Sequence, residues 1–218
     1  MSVMAAEAEA FVLEHTGLAR VPFVPEIRTY QADDAIALWE ITEERHGGPG
    51  LAPPFWAFPW AGGQALARYV LDHPELVSGQ TVLDLAAGSG LVGLAASLAG
   101  ARSVVANEVD PYAIAAIGLN AIANEREIRT YQGNLLVESV TDADVVLAGD
   151  VFYNRDMAAA MFGFLRAAHD NGAVVLVGDP GRAYVPTAEL VAAATYDVPV
   201  IRDLEDVDVK ESTVWRLP

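Results

Sequence analysis

The chain has 218 residues, of which 53% are hydrophobic and 20% are charged, and its formal net charge is −17. This length and composition suit one α/β domain with a large core and argue against disorder. Such an acidic chain is a poor partner for nucleic acid, and the absence of cysteine excludes disulfides and thiolate metal sites. The acidity fits either a solvated surface or attraction to basic partners.

The sequence gives no sign of a metal site or of a membrane segment. The four histidines, at positions 15, 46, 73 and 169, lie far apart and show no metal-binding spacing. The first residues, MSVMAAEAEAF, carry acids where a signal peptide needs bases. No apolar run approaches the length of a membrane span. We therefore expect a cytoplasmic protein that holds no metal and binds no membrane.

Strand and helix patterns alternate from residue 81 onward. TVLDL (81–85) is typical of a buried parallel strand, LVGLAASLAGA of a helix packed on a sheet, and ARSVVANEVD (101–110) of the next strand. Together they form a β-α-β unit of about 30 residues. Downstream, the patterns predict a helix at 111–125, strands at 128–136 and 143–153, a helix at 154–172, a strand at 173–181, a helix at 187–196 and strands at 197–203 and 212–218.

The last two predicted strands are too close in sequence for a helical crossover between them. They should therefore form an antiparallel hairpin at the sheet edge. The predicted fold is α/β, a doubly wound and mostly parallel sheet with an antiparallel C-terminal strand. We expect residues 61–218 to form this domain, with residues 1–60 as a helical and strand extension packed on it as a lid.

The β-α-β unit contains GSGLVG (88–93), which matches the G-x-G-x-x-G fingerprint of dinucleotide-binding loops. Asp84, however, ends the preceding strand. A carboxylate there would repel a pyrophosphate and attract the sulfonium and ammonium of S-adenosylmethionine, by about 4 kcal/mol each way at ~4 Å and an effective dielectric of ~20. Glu108 ends the next strand and is placed to bind both ribose hydroxyls, a task that NAD and S-adenosylmethionine enzymes share.

Each of these features also has a purely structural interpretation. Gly88 and Gly90 could simply form a tight turn, and Asp84 could cap a helix. Gly93 is expected at a helix–sheet contact, so that its match to the dinucleotide pattern is incidental. The combination of two strand-end acids with G-x-G in one unit nevertheless favours a ligand site.

VLDLAAGSG together with ANEVDP resembles the seven-strand S-adenosylmethionine-dependent methyltransferases. A closer resemblance, covering nearly the whole chain, is to the electron transfer flavoprotein β-subunit lysine methyltransferases. It is carried by HTGLARVPFVPEIRTYQADDA (15–35), the W-x-x-x-W-x-G-G-Q block within 54–79, LAGDVFYN (147–154) and LVGDPGR (176–182). The resemblance implies S-adenosylmethionine as cofactor and a lysine-rich protein, the flavoprotein β-subunit, as substrate.

The resemblance also implies a set of site residues. Asp150 and Tyr153 of the D-x-x-Y segment would be catalytic, with Asp150 positioning the lysine. Cofactor-binding residues would be Trp60, Gln64, Asp84, Ala86, Gly88, Ser89, Gly90, Glu108, Asn134, Leu135 and Asp150. Substrate-binding residues would be Phe55, Trp56, Asp179 and Arg182. Structural alternatives remain: Asp150 could cap the next helix, Asn134 could be a turn residue, and the aromatic residues could be core packing. Arg182 could form a local salt bridge instead of orienting the substrate.

Other functions stay open at this point. The methyl acceptor could be a ribosomal protein, or a small amine or pyridine such as nicotinamide. The chain could also be a cofactor-binding module without catalysis, although an intact Asp150 and Tyr153 pair argues against that. An NAD oxidoreductase is the weakest alternative, since Asp84 opposes a pyrophosphate and no second domain would supply substrate chemistry.

Overall fold

The computed structural model describes residues 3–45, 53–138, 141–200 and 207–218. The N-terminal part contains helix α1, a two-stranded antiparallel hairpin and helix α2. Their bounds are Val3–His15 (α1), Gly17–Val21 (β1), Val24–Gln31 (β2) and Ala35–Arg45 (α2). A short 3-10 turn at Phe55–Ala57 leads into the rest of the chain. The predicted mixture of helix and strand in the extension is therefore observed.

The remaining elements alternate between helix and strand up to residue 179. They are α3 (Ala61–Asp72), β3 (Thr81–Leu85), α4 (Leu91–Leu98), β4 (Ser103–Glu108), α5 (Pro111–Ala123), β5 (Arg129–Gln132), α6 (Leu135–Glu138), β6 (Val145–Gly149), α7 (Arg155–Asp170), β7 (Val174–Asp179), β8 (Val191–Pro199) and β9 (Val209–Arg216). No helix within the described ranges is long and apolar enough to cross a membrane.

The large sheet has seven strands in the order β5-β4-β3-β6-β7-β9-β8. Pairs among β3 to β7 are parallel, whereas β9 runs antiparallel to both of its neighbours. The predicted mostly parallel sheet with an antiparallel C-terminal strand is confirmed. The chain moves outward from β3 through β4 to β5, and then returns to place β6 on the other side of β3. This reversal opens a crevice at the carboxyl ends of β3 and β6.

Both faces of the sheet are buried, which explains why its central strands are continuous apolar runs. Along β6, Val145 and Leu147 face one core cluster, which includes Leu66 and Leu94 of α3 and α4. Val146 and Ala148 face the second cluster, formed largely with Met161, Phe164 and Leu165 of α7.

The predicted helix at 187–196 is wrong. Only a 3-10 turn at Thr187–Glu189 forms there, and Val191–Pro199 is strand β8, which pairs with β9 from Val191↔Arg216 to Pro199↔Val209. The alanine-rich segment has helical propensity, but cross-strand pairing overrides it. The C-terminal hairpin exists, although its first strand starts earlier than 197, and residues 201–206 lie outside the described residues.

Two other strands are shorter than predicted, and both differences affect the site. β5 ends at Gln132, and residues 135–138 form the short helix α6. β6 ends at Gly149, so that Asp150 stands in the following loop with a left-handed φ of 56°. The start of α5 matches the prediction, with Pro111 in the first turn and Asp110 accepting a hydrogen bond from the Tyr112 N–H.

The N-terminal extension is held to the domain by apolar packing and by Asn120 of α5. Phe11 and Val12 of α1 belong to a buried cluster with Ala113 and Ala116. Asn120 accepts a hydrogen bond from the Tyr30 N–H of β2, and its amide donates to the Ser89 carbonyl. One buried side chain thus joins the extension, α5 and the loop after β3.

Candidate active site

A cavity of about 610 Å³ lies where the carboxyl ends of β3, β4 and β6 meet the segment 53–60. Its position is the reversal point of the strand order, where doubly wound proteins bind ligands. Its walls combine the glycine loop, acids from three strand ends and aromatic side chains. Of the predicted site residues, Phe55, Trp56, Trp60, Asp84, Ala86, Gly88, Ser89, Glu108, Asn134, Asp150, Tyr153 and Arg182 line it.

The loop after β3 turns sharply because three of its residues have left-handed backbone. Ala86, Gly88 and Gly90 have φ values of 53°, 55° and 77°. A Cβ on Gly90 would also meet Ile117 at 3.1 Å, so that both conformation and space require glycine there. Gly90 therefore shapes the loop at its junction with α4 and does not line the cavity.

Asp84 is a buried carboxyl group that both faces the cavity and caps a helix. It is 1% exposed, and its Oδ2 accepts a hydrogen bond of 2.7 Å from the Gly93 N–H in the first turn of α4. Burial, together with the nearby Glu108, raises the pKa of Asp84 to about 8, against the effect of this hydrogen bond. Gly93 packs at the helix–sheet contact as expected, with its Cβ position 3.2 Å from Val104.

Glu108 is oriented by two backbone groups. Its Oε1 accepts a hydrogen bond of 2.9 Å from the Gly88 N–H, and its Oε2 accepts one of 2.9 Å from the Val109 N–H. Burial raises the pKa of Glu108 above its usual value. Because each carboxylate oxygen has a second lone pair, the fixed group can still accept hydrogen bonds from two neighbouring hydroxyls.

Asp150 is anchored to the start of α3 instead of capping the helix that follows it. Its Oδ2 accepts a hydrogen bond of 2.6 Å from the Gly63 N–H, while Asn154 caps α7. The Asp150 side chain is 10% exposed, and burial raises its pKa to about 6 even though Arg182 acts in the opposite direction. The predicted carboxylate thus reaches the crevice edge, fixed by the N-terminus of a helix.

Glycines allow α3 to approach the sheet closely enough for this bond. A Cβ on Gly62 would lie 2.4 Å from the Gly178 carbonyl oxygen and 2.8 Å from Oδ2 of Asp150. A Cβ on Gly149 would lie 2.9 Å from the Cα of Gly63. Three elements are therefore in backbone contact at the point where Asp150 is held.

Asp150 shares the cavity wall with one guanidinium and an aromatic cluster. Nη2 of Arg182 is 3.4 Å from Oδ1 of Asp150, and its Cζ is 5.9 Å from the centre of the Trp60 ring. The Phe55 ring centre lies 5.1 Å from that of Tyr153 and 5.8 Å from that of Trp60. Tyr153 is 43% exposed, so that this cluster stands where the cavity meets solvent.

Trp56 lies apart from that cluster, beside the glycine loop. It is 2% exposed and stacks on Tyr112 with ring centres 6.5 Å apart. Its Cα is 3.9 Å from the Cβ position of Gly88. The structure therefore places Trp56 next to the loop predicted for the cofactor, and Trp60 next to the residues predicted for the substrate.

Gln64, Leu135 and Asp179 are predicted site residues that do not line the cavity. The buried Gln64 accepts a hydrogen bond from the Phe23 N–H and donates to the Pro59 carbonyl. Leu136 lines the cavity in place of Leu135, because the helix α6 begins at Leu135. Asp179 is fully buried, and its Oδ1 accepts a hydrogen bond of 2.7 Å from the Arg182 N–H.

The sequence prediction missed several residues of the cavity wall. They are Pro53, Phe58, Pro59, Gly63, Leu85, Ala87, Leu91, Val92, Asn107, Val109, Asp110, Ala113, Gly133, Leu136, Gly149, Val151, Met157 and Met161. Phe58 could have been found, since it belongs to the same aromatic block as Trp56 and Trp60. Gly63 belongs to the same W-x-x-x-W-x-G-G-Q block, but only the packing of α3 brings it to the sheet edge.

Comparison with known proteins identifies the family. The sequence model for ribosomal protein L11 methyltransferase (PrmA) matches residues 65–151. The electron transfer flavoprotein beta subunit lysine methyltransferase of Xenopus laevis is 35% identical over 215 residues, which cover 94% of this chain and 85% of that protein. The enzyme of the same name from Danio rerio is 35% identical over 213 residues, covering 94% and 81%.

A solved structure supports the fold alone. The ribosomal protein L11 methylase of Lactobacillus delbrueckii subsp. bulgaricus superposes with a TM-score of 0.53 at 18% identity, over 78% of this chain and 83% of that one. The two flavoprotein methyltransferases each match over 94% of this chain. The chain therefore belongs to the electron transfer flavoprotein beta subunit lysine methyltransferase family.

Proposed function

We propose that this methyltransferase transfers a methyl group from S-adenosylmethionine to a lysine on the β-subunit of electron transfer flavoprotein. The observation that carries the proposal is the position of Asp150. It is a nearly buried carboxyl group in the wall of a ligand-sized cavity that Trp60 and Tyr153 also line. Such a carboxylate can attract a lysine ammonium, and the aromatic side chains can pack against the apolar stem of the lysine.

The residues of the cavity fit S-adenosylmethionine. Asp84 and Glu108 face one cavity, and both have raised pKa values that a bound cation would lower. The fixed oxygens of Glu108 suit a ribose diol, and Asn134 with Leu136 lines the wall beyond them. A diphosphate would meet these acids unfavourably. The chemistry of these groups thus supports a sulfonium nucleoside over NAD.

When bound, S-adenosylmethionine supplies a methyl group on sulfur, and attack by the amine lone pair breaks the carbon–sulfur bond, leaving its electron pair on sulfur. The protein must align the amine and exclude water. We assign the alignment to Asp150, through its outer oxygen, and the exclusion of water to Phe55, Trp60 and Tyr153. A lysine of pKa ~10.4 must first lose a proton, at a cost of roughly 4.6 kcal/mol at pH 7.

We further propose that residues 1–60 serve as a lid on a methyltransferase domain formed by residues 61–218. Phe55, Trp56 and Trp60 come from the end of that segment and line the cavity. The packing of Phe11 and Val12 on α5 supports this division of roles. The cytoplasmic location stays a prediction from the sequence.

The net charge of −17 supports a lysine-rich protein substrate. Opposite charges speed encounter, and salt screens the attraction over ~8 Å at physiological ionic strength. The lysine charge persists after methylation, whereas hydrogen-bond donors are lost and bulk is added. The modification would therefore alter docking of the substrate without reversing its electrostatics.

The test combines purified protein, radiolabelled S-adenosylmethionine and the cognate flavoprotein, followed by mass spectrometric mapping. Label is expected on β-subunit lysines, at a rate that rises as salt falls. The Asp150→Asn variant is measured alongside the wild type to test the role of Asp150. Self-labelling is confined to one site, because Lys210 is the only lysine of the chain. Transfer to a ribosomal protein or to nicotinamide, with none to the flavoprotein, would contradict the proposed substrate.

A further inference from the structure

Arg182 connects the acid that would hold the substrate amine with the aromatic wall beside it. Its Nη2 lies 3.4 Å from Oδ1 of Asp150, and its Cζ lies 5.9 Å from the centre of the Trp60 ring. Its backbone N–H donates a hydrogen bond of 2.7 Å to Oδ1 of Asp179, which fixes the loop after β7. The Arg182 side chain is 26% exposed, so that water screens its charge only partly.

The charges around Asp150 come from several elements. Asp179, at the end of β7, raises the pKa of Asp150, whereas Arg182 and the Gly63 N–H of α3 lower it. The first turn of α3, Ala-Gly-Gly-Gln from residue 61, carries no ionisable side chain. Tyr153 stands on the solvent side, and its own pKa is raised by burial and by Glu108 and lowered by Arg182. Arg182 is therefore a shared positive charge for Asp150 and Tyr153.

A carboxylate that attracts a lysine ammonium also stabilises its proton. Asp150 alone would raise the pKa of a bound amine above ~10.4, although the reaction needs the neutral form. A guanidinium next to the same carboxylate has the opposite effect on the amine.

We propose that Arg182 is a positioning residue that neutralises Asp150, so that the bound lysine ammonium can release its proton to water while the amine stays at the carboxylate. The inference deepens the proposed function and rests on it, since it requires an amine at Asp150. The released proton leaves as hydronium, and Arg182 exchanges none.

The kinetic test measures kcat against pH, from about pH 6 to pH 10, for wild type, Arg182→Gln and Arg182→Lys. The acid limb is the part of the profile in which kcat falls as pH decreases. Arg182→Gln is expected to shift this limb to higher pH by about one unit or more, while kcat at high pH is largely retained. Arg182→Lys keeps the charge and should restore the wild-type limb. An unmoved limb in Arg182→Gln, or a loss of equal size at every pH, would overturn the inference.

Arg102→Gln is the matched control. Nη2 of Arg102 lies 3.3 Å from Oδ2 of Asp144, a pair of nearly the same length. These two residues stand just before β4 and β6, at the opposite edge of the sheet from the cavity. The control removes the same charge and should leave the profile in place. A shift equal to that of Arg182→Gln would attribute the effect to net charge and overturn the role of Arg182.

A second measurement needs no substrate. Carbon-13 NMR of the aspartate carboxyls should give Asp150 a pKa of about 6 in the wild type. In Arg182→Gln the pKa should rise by about one unit or more, and in Arg182→Lys it should stay near the wild-type value. An unchanged Asp150 pKa in Arg182→Gln would refute the coupling. Failure of the proposed function looks different: the wild type would label no flavoprotein lysine at any pH, while the titration would still report on the coupling.

Discussion

Replacing Gly62 by alanine should separate α3 from the sheet. The new Cβ would lie 2.4 Å from the carbonyl oxygen of Gly178, 2.7 Å from its carbonyl carbon and 2.8 Å from Oδ2 of Asp150. Normal contacts are about 3.5 Å, so that a helix packed on the strands must shift by roughly 1 Å. Overpacking of this kind costs about 1–3 kcal/mol, and the backbone obstacles place Gly62→Ala toward the upper end.

The neighbouring glycine provides a control in the same helical turn. A Cβ on Gly63 would meet only Oδ2 of Asp150, at 3.7 Å, which is an ordinary contact. Alanine is favoured over glycine in helices by up to about 1 kcal/mol, so that Gly63→Ala should be neutral or slightly stabilising. Thermal unfolding followed by circular dichroism should show Tm lowered by about 5–10 °C in Gly62→Ala and nearly unchanged in Gly63→Ala.

Urea unfolding should rank the two variants in the same order, with similar m-values. Gly62→Ala should also lose methyl-transfer activity beyond its loss of stability, because the displaced helix start holds Asp150. A Tm of Gly62→Ala within about 1 °C of the wild type, or a larger loss in Gly63→Ala, would refute the close contact between α3 and β7.

The remaining predictions concern the acids of the cavity. Asp84→Asn and Glu108→Ala should each weaken binding of S-adenosylhomocysteine in calorimetry. If the protein bound NAD tightly and did not bind S-adenosylhomocysteine, the proposed cofactor would be contradicted. Ligand-free Asp84→Asn should nevertheless melt higher than the wild type at pH 8. The folded carboxyl has a pKa raised from 3.8 to about 8, so the native state binds more protons between these values and wild-type stability falls as pH rises through that window. The difference in Tm between Asp84→Asn and the wild type should disappear toward pH 4. A difference that does not change with pH would contradict the raised pKa of Asp84. Asp150→Asn should lower turnover by on the order of 10²-fold while largely preserving cofactor affinity. Full activity of that variant would leave Asp150 as a structural cap of α3.

Some features of the site follow from short-range rules and were predictable. Acids at or just after the carboxyl ends of parallel strands meet at one edge of the sheet, which is why Asp84, Glu108 and Asp150 share a cavity. Pro111 and Asn154 mark helix starts through their own backbone chemistry. The helix predicted at 187–196 failed because strand β9, which lies outside that segment, supplies the hydrogen bonds that select the extended form.

The sequence by itself determined the alternation of strands and helices up to β7, the turn at the glycine loop and the family, since these depend on local patterns and on motifs in order. Only the tertiary structure decided which helix Asp150 caps, which side of the cavity Trp56 and Trp60 occupy, and that Gln64 joins Phe23 to Pro59. These outcomes depend on contacts between residues far apart in sequence: 87 positions separate Gly63 from Asp150, and 122 separate Trp60 from Arg182. Local patterns carry no information about them, because the close approach of α3 to β7 arises from the packing of the whole sheet.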